Sequence, residues 1–216
     1  PLIVLHGRTG VGKTLLLKEL PDHLDLEEFA GHRSSLFGAI NKTPKTQKNF
    51  EALLAKKILE LPNTIPVFIE GESRKVGKVF IPQALADAMK YGTLVLLHAS
   101  LDTRIRRIVE EYKICNEQTF LQTDSILQSM QKVLGKKKVE QLRQWLRKGD
   151  FENIVHVLLE EYYDPRYQHA MRMNEYALKL SAEDLNIAAE KLVRFRSGIV
   201  SCRDNILQTA QNNQLN

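Results

Sequence analysis

Cysteine is almost missing from this chain: of 216 residues, only Cys115 and Cys202 carry a thiol. They lie far apart and outside any Cys-x-x-Cys spacing, which argues against a disulfide framework or a cysteine zinc site. No apolar run reaches the roughly 18 residues that a membrane-spanning helix needs. Nor does the N-terminus carry a basic segment, an apolar stretch and a small-residue cleavage site in the order of a secretory signal. A cytoplasmic location is therefore expected. An initiator Met is missing too, because the chain opens at Pro1 directly before its first apolar stretch, and natural sequence upstream is expected. No internal repeat is evident. What is present is the composition of a globular protein, 43% hydrophobic and 26% charged, sufficient for one substantial core with an appended subdomain. The net charge of +5 admits an anionic partner, provided the positive residues gather in one place.

The most informative stretch is Gly7-Arg8-Thr9-Gly10-Val11-Gly12-Lys13-Thr14, set between the apolar Leu2-Ile3-Val4-Leu5-His6 and the apolar Leu15-Leu16-Leu17. It matches G-x-x-x-x-G-K-[ST], in which glycines let successive backbone N–H groups turn in around phosphate oxygens at a helix N-terminus. Gly7, Thr9, Gly10, Val11, Gly12, Lys13 and Thr14 are accordingly read as phosphate-binding. Lys13 is placed on the terminal phosphate and the Thr14 hydroxyl on Mg²⁺. Kinases, NTPases and other diphosphate binders share this cradle, so the loop alone does not name its ligand.

Further along, Ile65-Pro66-Val67-Phe68-Ile69-Glu70 reads as a buried strand that delivers an acid to the carboxyl edge of the sheet. Glu70 and nearby Glu72 suit water-mediated Mg²⁺ binding or polarisation of a nucleophile, and Glu70 is read with Thr14 as the metal pair. Ser100 caps a helix over 101–112. Its expected buried stripe is Ile105, Ile108, Val109 and Tyr112, with Arg104, Arg106 and Arg107 on the surface, either closing over phosphates or simply solvated. Lys136, Lys137, Lys138, Arg143, Arg147 and Lys148 cluster on one helix whose apolar stripe is Val139, Leu142 and Leu146. Such a ridge suits a nucleic-acid backbone or a solvated face. Tyr163 and Arg166, in Tyr162-Tyr163-Asp164-Pro165-Arg166, suit base stacking or packing.

The alternation of apolar runs predicts an α/β fold: a P-loop NTPase-like parallel sheet of about five strands flanked by helices. Strands are expected near 2–6, 23–26, 65–70, 93–98 and 176–180. The expected organisation is a first part of the core over 1–112, a helical insertion over 113–150, the last strand and helices over 151–200, and a polar tail over 201–216.

Several separated strings resemble the P-loop domain of tRNA 2-selenouridine synthases. They are the loop at 7–14, Asp25-Leu26-Glu27 with Ala30, His32-Arg33, Ser35 to Gly38, Gln47 with Phe50-Glu51, Glu72-Ser73-Arg74 with Gly77, and Tyr162-Tyr163-Asp164-Pro165. Ser34 stands where the resemblance leads one to expect glycine. The resemblance implies exchange of sulfur for selenium at wobble 2-thiouridine of tRNA, by geranylation from geranyl diphosphate and then displacement with selenophosphate. It implies catalytic roles for Lys13, Glu70, Glu72 and Arg74, phosphate contacts from Arg33 and Ser35, Mg²⁺, and geranyl diphosphate or a nucleotide in the loop. It also implies a rhodanese-like domain or subunit as partner, since neither cysteine matches a rhodanese loop. Two other readings stay open, a P-loop small-molecule kinase and a non-catalytic nucleotide- or tRNA-binding module.

Overall fold

The computed structural model describes residues 1–71, 73–114 and 116–214, with side chains described throughout these except at 168–170, 172 and 204–214. Its centre is β1 (Leu2–Gly7), whose Ile3, Val4 and Leu5 are all buried although alternate residues of a strand point to opposite faces. Such a strand must be covered on both sides. It pairs in parallel with β3 (Val67–Glu70) on one edge and with β6 (Thr93–His98) on the other. β2 (His23–Leu24) and β7 (Leu178–Ser181) extend the sheet to the order β2-β3-β1-β6-β7, all parallel. The five expected strands are therefore present with shifted ends, β7 for instance starting at Leu178 and not at 176, and two of the shifts have a clear origin. Pro66 has no N–H to give a ladder, so β3 begins at Val67. Asp25 accepts a hydrogen bond from Glu28 N at 2.8 Å and caps α2 (Leu26–Ala30), ending β2 at Leu24.

One face of the sheet packs Ile3, Leu5, Phe68, Val95 and Leu97 against α1 (Lys13–Lys18) and α11 (Leu185–Gln214). The other packs Val4, Val67 and Ile69 against α2, α3 (Gln47–Glu60) and α4 (Gln83–Lys90). A short antiparallel hairpin of β4 (Lys75–Val76) and β5 (Val79–Phe80), turning on Gly77 with φ of 59°, lies under this second face. Among the described residues no helix is long and apolar enough to cross a membrane.

A third apolar cluster stands apart from the sheet. It is built by α6 (Glu117–Ser129), α7 (Gln131–Leu134), α8 (Lys136–Lys148) and α9 (Phe151–Leu158), which continues through a π-helical turn at Leu159–Tyr163 into α10 (Asp164–Met173). α5 (Leu101–Glu111) joins the two parts, because Ile105 and Ile108 pack on this helical cluster.

On α5 the outcome departs from the sequence expectation at two of the three arginines, Arg106 alone being exposed. Arg104 and Arg107 are buried, at 3% and 9% exposed, whereas Ile105, Ile108 and Val109 are only partly covered. The arginines lie inward because polar acceptors wait there. Arg104 donates Nε to Thr9 O at 2.8 Å, and Arg107 donates to Val11 O at 2.8 Å and Ala182 O at 2.7 Å. Buried charge is tolerated where it is paired and hydrogen-bonded, and here both guanidinium groups hold the backbone of the glycine loop.

Candidate functional site

The loop between β1 and α1 lies at the carboxyl edge of the sheet, where neighbouring connections run to opposite sides of β1 and ligands of open α/β sheets bind. Gly10 and Gly12 have φ of 78° and 94°, a region that other L-residues enter only at a cost. A Cβ on Gly10 would also come within 2.7 Å of Ile108 Cδ1 and 2.9 Å of Arg104 O. The loop is thus pressed onto α5. No side chain caps α1, whose N-cap is Gly12, and Lys13 donates Nζ to Gly7 O at 3.3 Å.

Thr14 stands between two acids: its hydroxyl lies 3.3 Å from Glu70 Oε2 and 3.1 Å from Glu27 Oε2. Glu70, completely buried, also accepts Glu27 N at 2.9 Å, and Glu27 accepts Ser34 N. Glu27 is the site residue that the sequence reading missed. The signal was available in Asp25-Leu26-Glu27, an acid just past a short strand, but only the fold brings the first turn of α2 next to Thr14. The second acid expected there, Glu72, lies outside the described residues. Arg74 is exposed, on the approach to β4, and among the described residues it lines neither cavity of the site. Among those residues, too, no group of three or more His, Cys, Asp and Glu is disposed to hold a metal.

The loop after α2 closes one side of the site. Arg33 pairs with Glu111 at 2.5 Å and lies over the Tyr112 ring, 4.6 Å from its centroid. Ser35 Oγ is 2.7 Å from the Tyr112 hydroxyl. Burial raises the hydroxyls of Tyr112 and Tyr163 above the usual phenol range, so both stay neutral. Arg33 and Ser35 therefore border the crevice along the glycine loop. Tyr163 does not present its ring to a base: it is 9% exposed and packed in the helical cluster.

Asp164, from the same Tyr-Tyr-Asp-Pro string, accepts Arg104 through both oxygens at 2.9 and 2.6 Å, and accepts Arg8 at 3.2 Å. The helical cluster is thereby pinned to the phosphate loop.

Two cavities meet here. A crevice of about 80 Å³ follows residues 9–15 with Glu27 and Arg33 on its wall. Beside it opens a cavity of about 510 Å³ whose lining is predominantly apolar, including Phe37, Ile108, Phe151, Ile154, Val155 and Leu158. Thr9, Ser35, Ile108 and Tyr112 border both. A crevice along the glycine loop therefore continues into a predominantly apolar chamber.

The basic helix α8 carries Lys136, Lys137 and Lys148 exposed. Arg143 is instead clamped on Asp124 of α6 at 2.7 and 2.8 Å, holding that carboxyl below its usual range, while Arg147 pairs with Glu140 and Lys138 with Glu161, each at 2.8 Å. The ridge expected from spacing is therefore partly spent on ion pairs within the helical cluster. Arg166 is exposed and stacks on Tyr162, 3.6 Å from its centroid.

The model of the tRNA 2-selenouridine synthase AAA domain matches residues 1–192. The chain belongs to this family. Its relatives include tRNA 2-selenouridine synthases of Alcanivorax borkumensis, 31% identical over 198 residues, and of Hydrogenovibrio crunogenus, 32% identical over 197. These alignments cover 79% and 82% of this chain and 55% of each relative. The chain thus spans about half the length of the curated relatives it matches. No solved structure matches it.

His6 gives the site a pH signature. Burial, and next the Lys13 charge, lower its pKa from 6.5 to about 4. The unfolded chain then binds the extra proton first, so the stability associated with neutral His6 is complete above pH 6.5 and is lost as pH falls towards 4. Urea unfolding should lose roughly 2–3 kcal/mol across that window, and His6→Gln should flatten this part of the curve. An unchanged slope in the variant would show that His6 is not the group responsible.

Proposed function

We propose that this chain is the P-loop half of a tRNA 2-selenouridine synthase and that its own reaction is the transfer of a geranyl group from geranyl diphosphate to the sulfur of wobble 2-thiouridine in tRNA. The observation that carries the choice of ligand is the apolar cavity beside the phosphate loop. A nucleotide base would need polar edges to satisfy its own, whereas an isoprenoid chain needs only desolvation. The kinase reading explains neither this cavity nor the clamp on Asp164.

In the proposed step the C1–O bond of the donor breaks with its electron pair leaving on diphosphate. The thiocarbonyl sulfur forms the new S–C1 bond with a lone pair, and the N3 proton of the base passes to solvent. Thiocarbonyl sulfur is already nucleophilic, so the protein's work is positioning and stabilisation of the departing charge. The amides of Gly10 to Thr14 and the Lys13 ammonium receive diphosphate, with Arg33 and Ser35 at the cradle's edge. The Thr14 hydroxyl, flanked by Glu27 and Glu70, is a set of hard oxygen donors suited to Mg²⁺, which keeps most of its waters and neutralises phosphate charge when bound. Selenation is assigned to the assembly with a rhodanese-like domain or subunit, in the cytoplasm.

Incubating the chain with 2-thiouridine tRNA, Mg²⁺ and geranyl diphosphate, then weighing the digested nucleosides, should reveal an S-geranyl adduct and no selenouridine. ATP turnover with no change in the tRNA would replace this reading by a kinase. Binding of tRNA is assigned chiefly to Lys136, Lys137 and Lys148, with Arg147 and Arg166 flanking them. Replacing those three lysines by alanine should lower the slope of log affinity against log salt by roughly 0.7–0.9 for each tRNA phosphate that is no longer neutralised. A filter-binding salt titration with an unchanged slope would place the tRNA on another face.

A further inference from the structure

The cavity has a direction, and α9 runs along it. Asp164 is fixed next to the phosphate loop by Arg8 and Arg104, and Tyr163, its neighbour in the chain, lines the cavity with Ser35. Going back along the same helical run, Leu159 and Leu158, then Val155 and Ile154, then Phe151 face the cavity at successive turns. At about 1.5 Å per residue, Phe151 lies about 18 Å from Tyr163 along the helix. Thr9, Ser35, Ile108 and Tyr112, shared with the phosphate crevice, mark the near end, and Phe151, the first residue of α9, is the lining residue of that helix farthest from Tyr163.

An extended carbon chain advances about 1.2 Å per bond. On that scale the backbone of a ten-carbon prenyl group reaches about 10 Å, to the level of Val155. A fifteen-carbon group reaches about 15 Å, close to Phe151, and a twenty-carbon group about 20 Å, beyond it. The cavity, at about 510 Å³, is within the range of sites that take a small hydrocarbon ligand.

We propose that α9 measures the prenyl donor: the cavity accepts chains of up to fifteen carbons, Phe151 is the stop, and Val155 sets the level that a ten-carbon chain occupies. This rests on the prenyl-diphosphate reading given above and assigns length selection to residues of this chain. It also makes the natural donor a matter of supply as well as fit, because a fifteen-carbon diphosphate fills the space that geranyl leaves open.

The test is calorimetric titration of the chain, in Mg²⁺, with the five-, ten-, fifteen- and twenty-carbon prenyl diphosphates. Affinity should rise at least tenfold from five to ten carbons, rise again at fifteen, and fall at least tenfold at twenty. Phe151→Ala should restore binding of the twenty-carbon donor, and Val155→Trp should exclude fifteen carbons while keeping ten. Weaker binding of fifteen carbons than of ten, or equal binding of fifteen and twenty, in the unaltered chain would overturn the ruler while leaving prenyl transfer intact. So would a length profile that neither substitution moves. Failure of every length to bind would overturn the prenyl reading and the ruler together.

Discussion

Asp164→Ala is expected to destabilise the protein by about 3–5 kcal/mol, since it strips a buried guanidinium of its carboxylate. Arg104 is 3% exposed and gives two nitrogens to Asp164, with only Nε engaged elsewhere, on Thr9 O. Losing the acid leaves that charge desolvated and uncompensated. It also loosens Arg8 and uncouples the helical cluster from the loop at 7–14. For a chain of this length such a loss corresponds to a drop in Tm of roughly 10 °C. Asp164→Asn, which keeps one carbonyl acceptor, should cost distinctly less. Urea unfolding of both variants decides the matter. A cost below about 1 kcal/mol for the alanine variant would mean that water replaces the carboxylate and that the clamp does not support the fold.

The second large effect concerns binding with little change in stability. Lys13→Ala should reduce diphosphate affinity by roughly a hundredfold or more, as expected from losing hydrogen bonds to a charged group worth about 3 kcal/mol. The Lys13 side chain is half-buried in the loop, with Nζ on Gly7 O, and contributes little to either core, so Tm should stay within about 2 °C. Titration with inorganic diphosphate measures the first quantity and a thermal melt the second. Undiminished binding would move the phosphate site away from residues 7–14.

Legibility in the sequence followed the range of the interactions. The glycine loop was readable because strand, turn and helix N-terminus adjoin in the chain, and the five strands were readable because a doubly covered sheet needs apolar runs. The hairpin at 75–80 escaped, since two-residue strands leave almost no pattern and only Gly77 marks the turn. On α5, spacing and hydrophobicity pointed the isoleucines inward and the arginines outward. What drew Arg104 and Arg107 inward were carbonyl oxygens of Thr9, Val11 and Ala182, which every residue possesses and no sequence pattern advertises. Glu27 was visible as a residue but not as a neighbour of Thr14. The cavity was least legible of all, because its walls come from separate segments around 35–40, 108–114, 123 and 151–163.

The π-helical turn at Leu159–Tyr163 bears on how this family tolerates insertions and deletions. A widened turn holds one residue more than an α-helix would place there, and one residue corresponds to about 100° of rotation. Deleting a single residue within 159–163 would tighten the turn into ordinary α-helix and preserve its hydrogen bonding. It would also swing everything after it by that angle, carrying Asp164 away from Arg104 while Val155 and Phe151 stayed in place. The turn thus works as a phase shift between two halves of one continuous rod, letting the first half face a hydrocarbon chamber and the second face a pair of arginines. Point substitutions there should be far milder than a change of length by one.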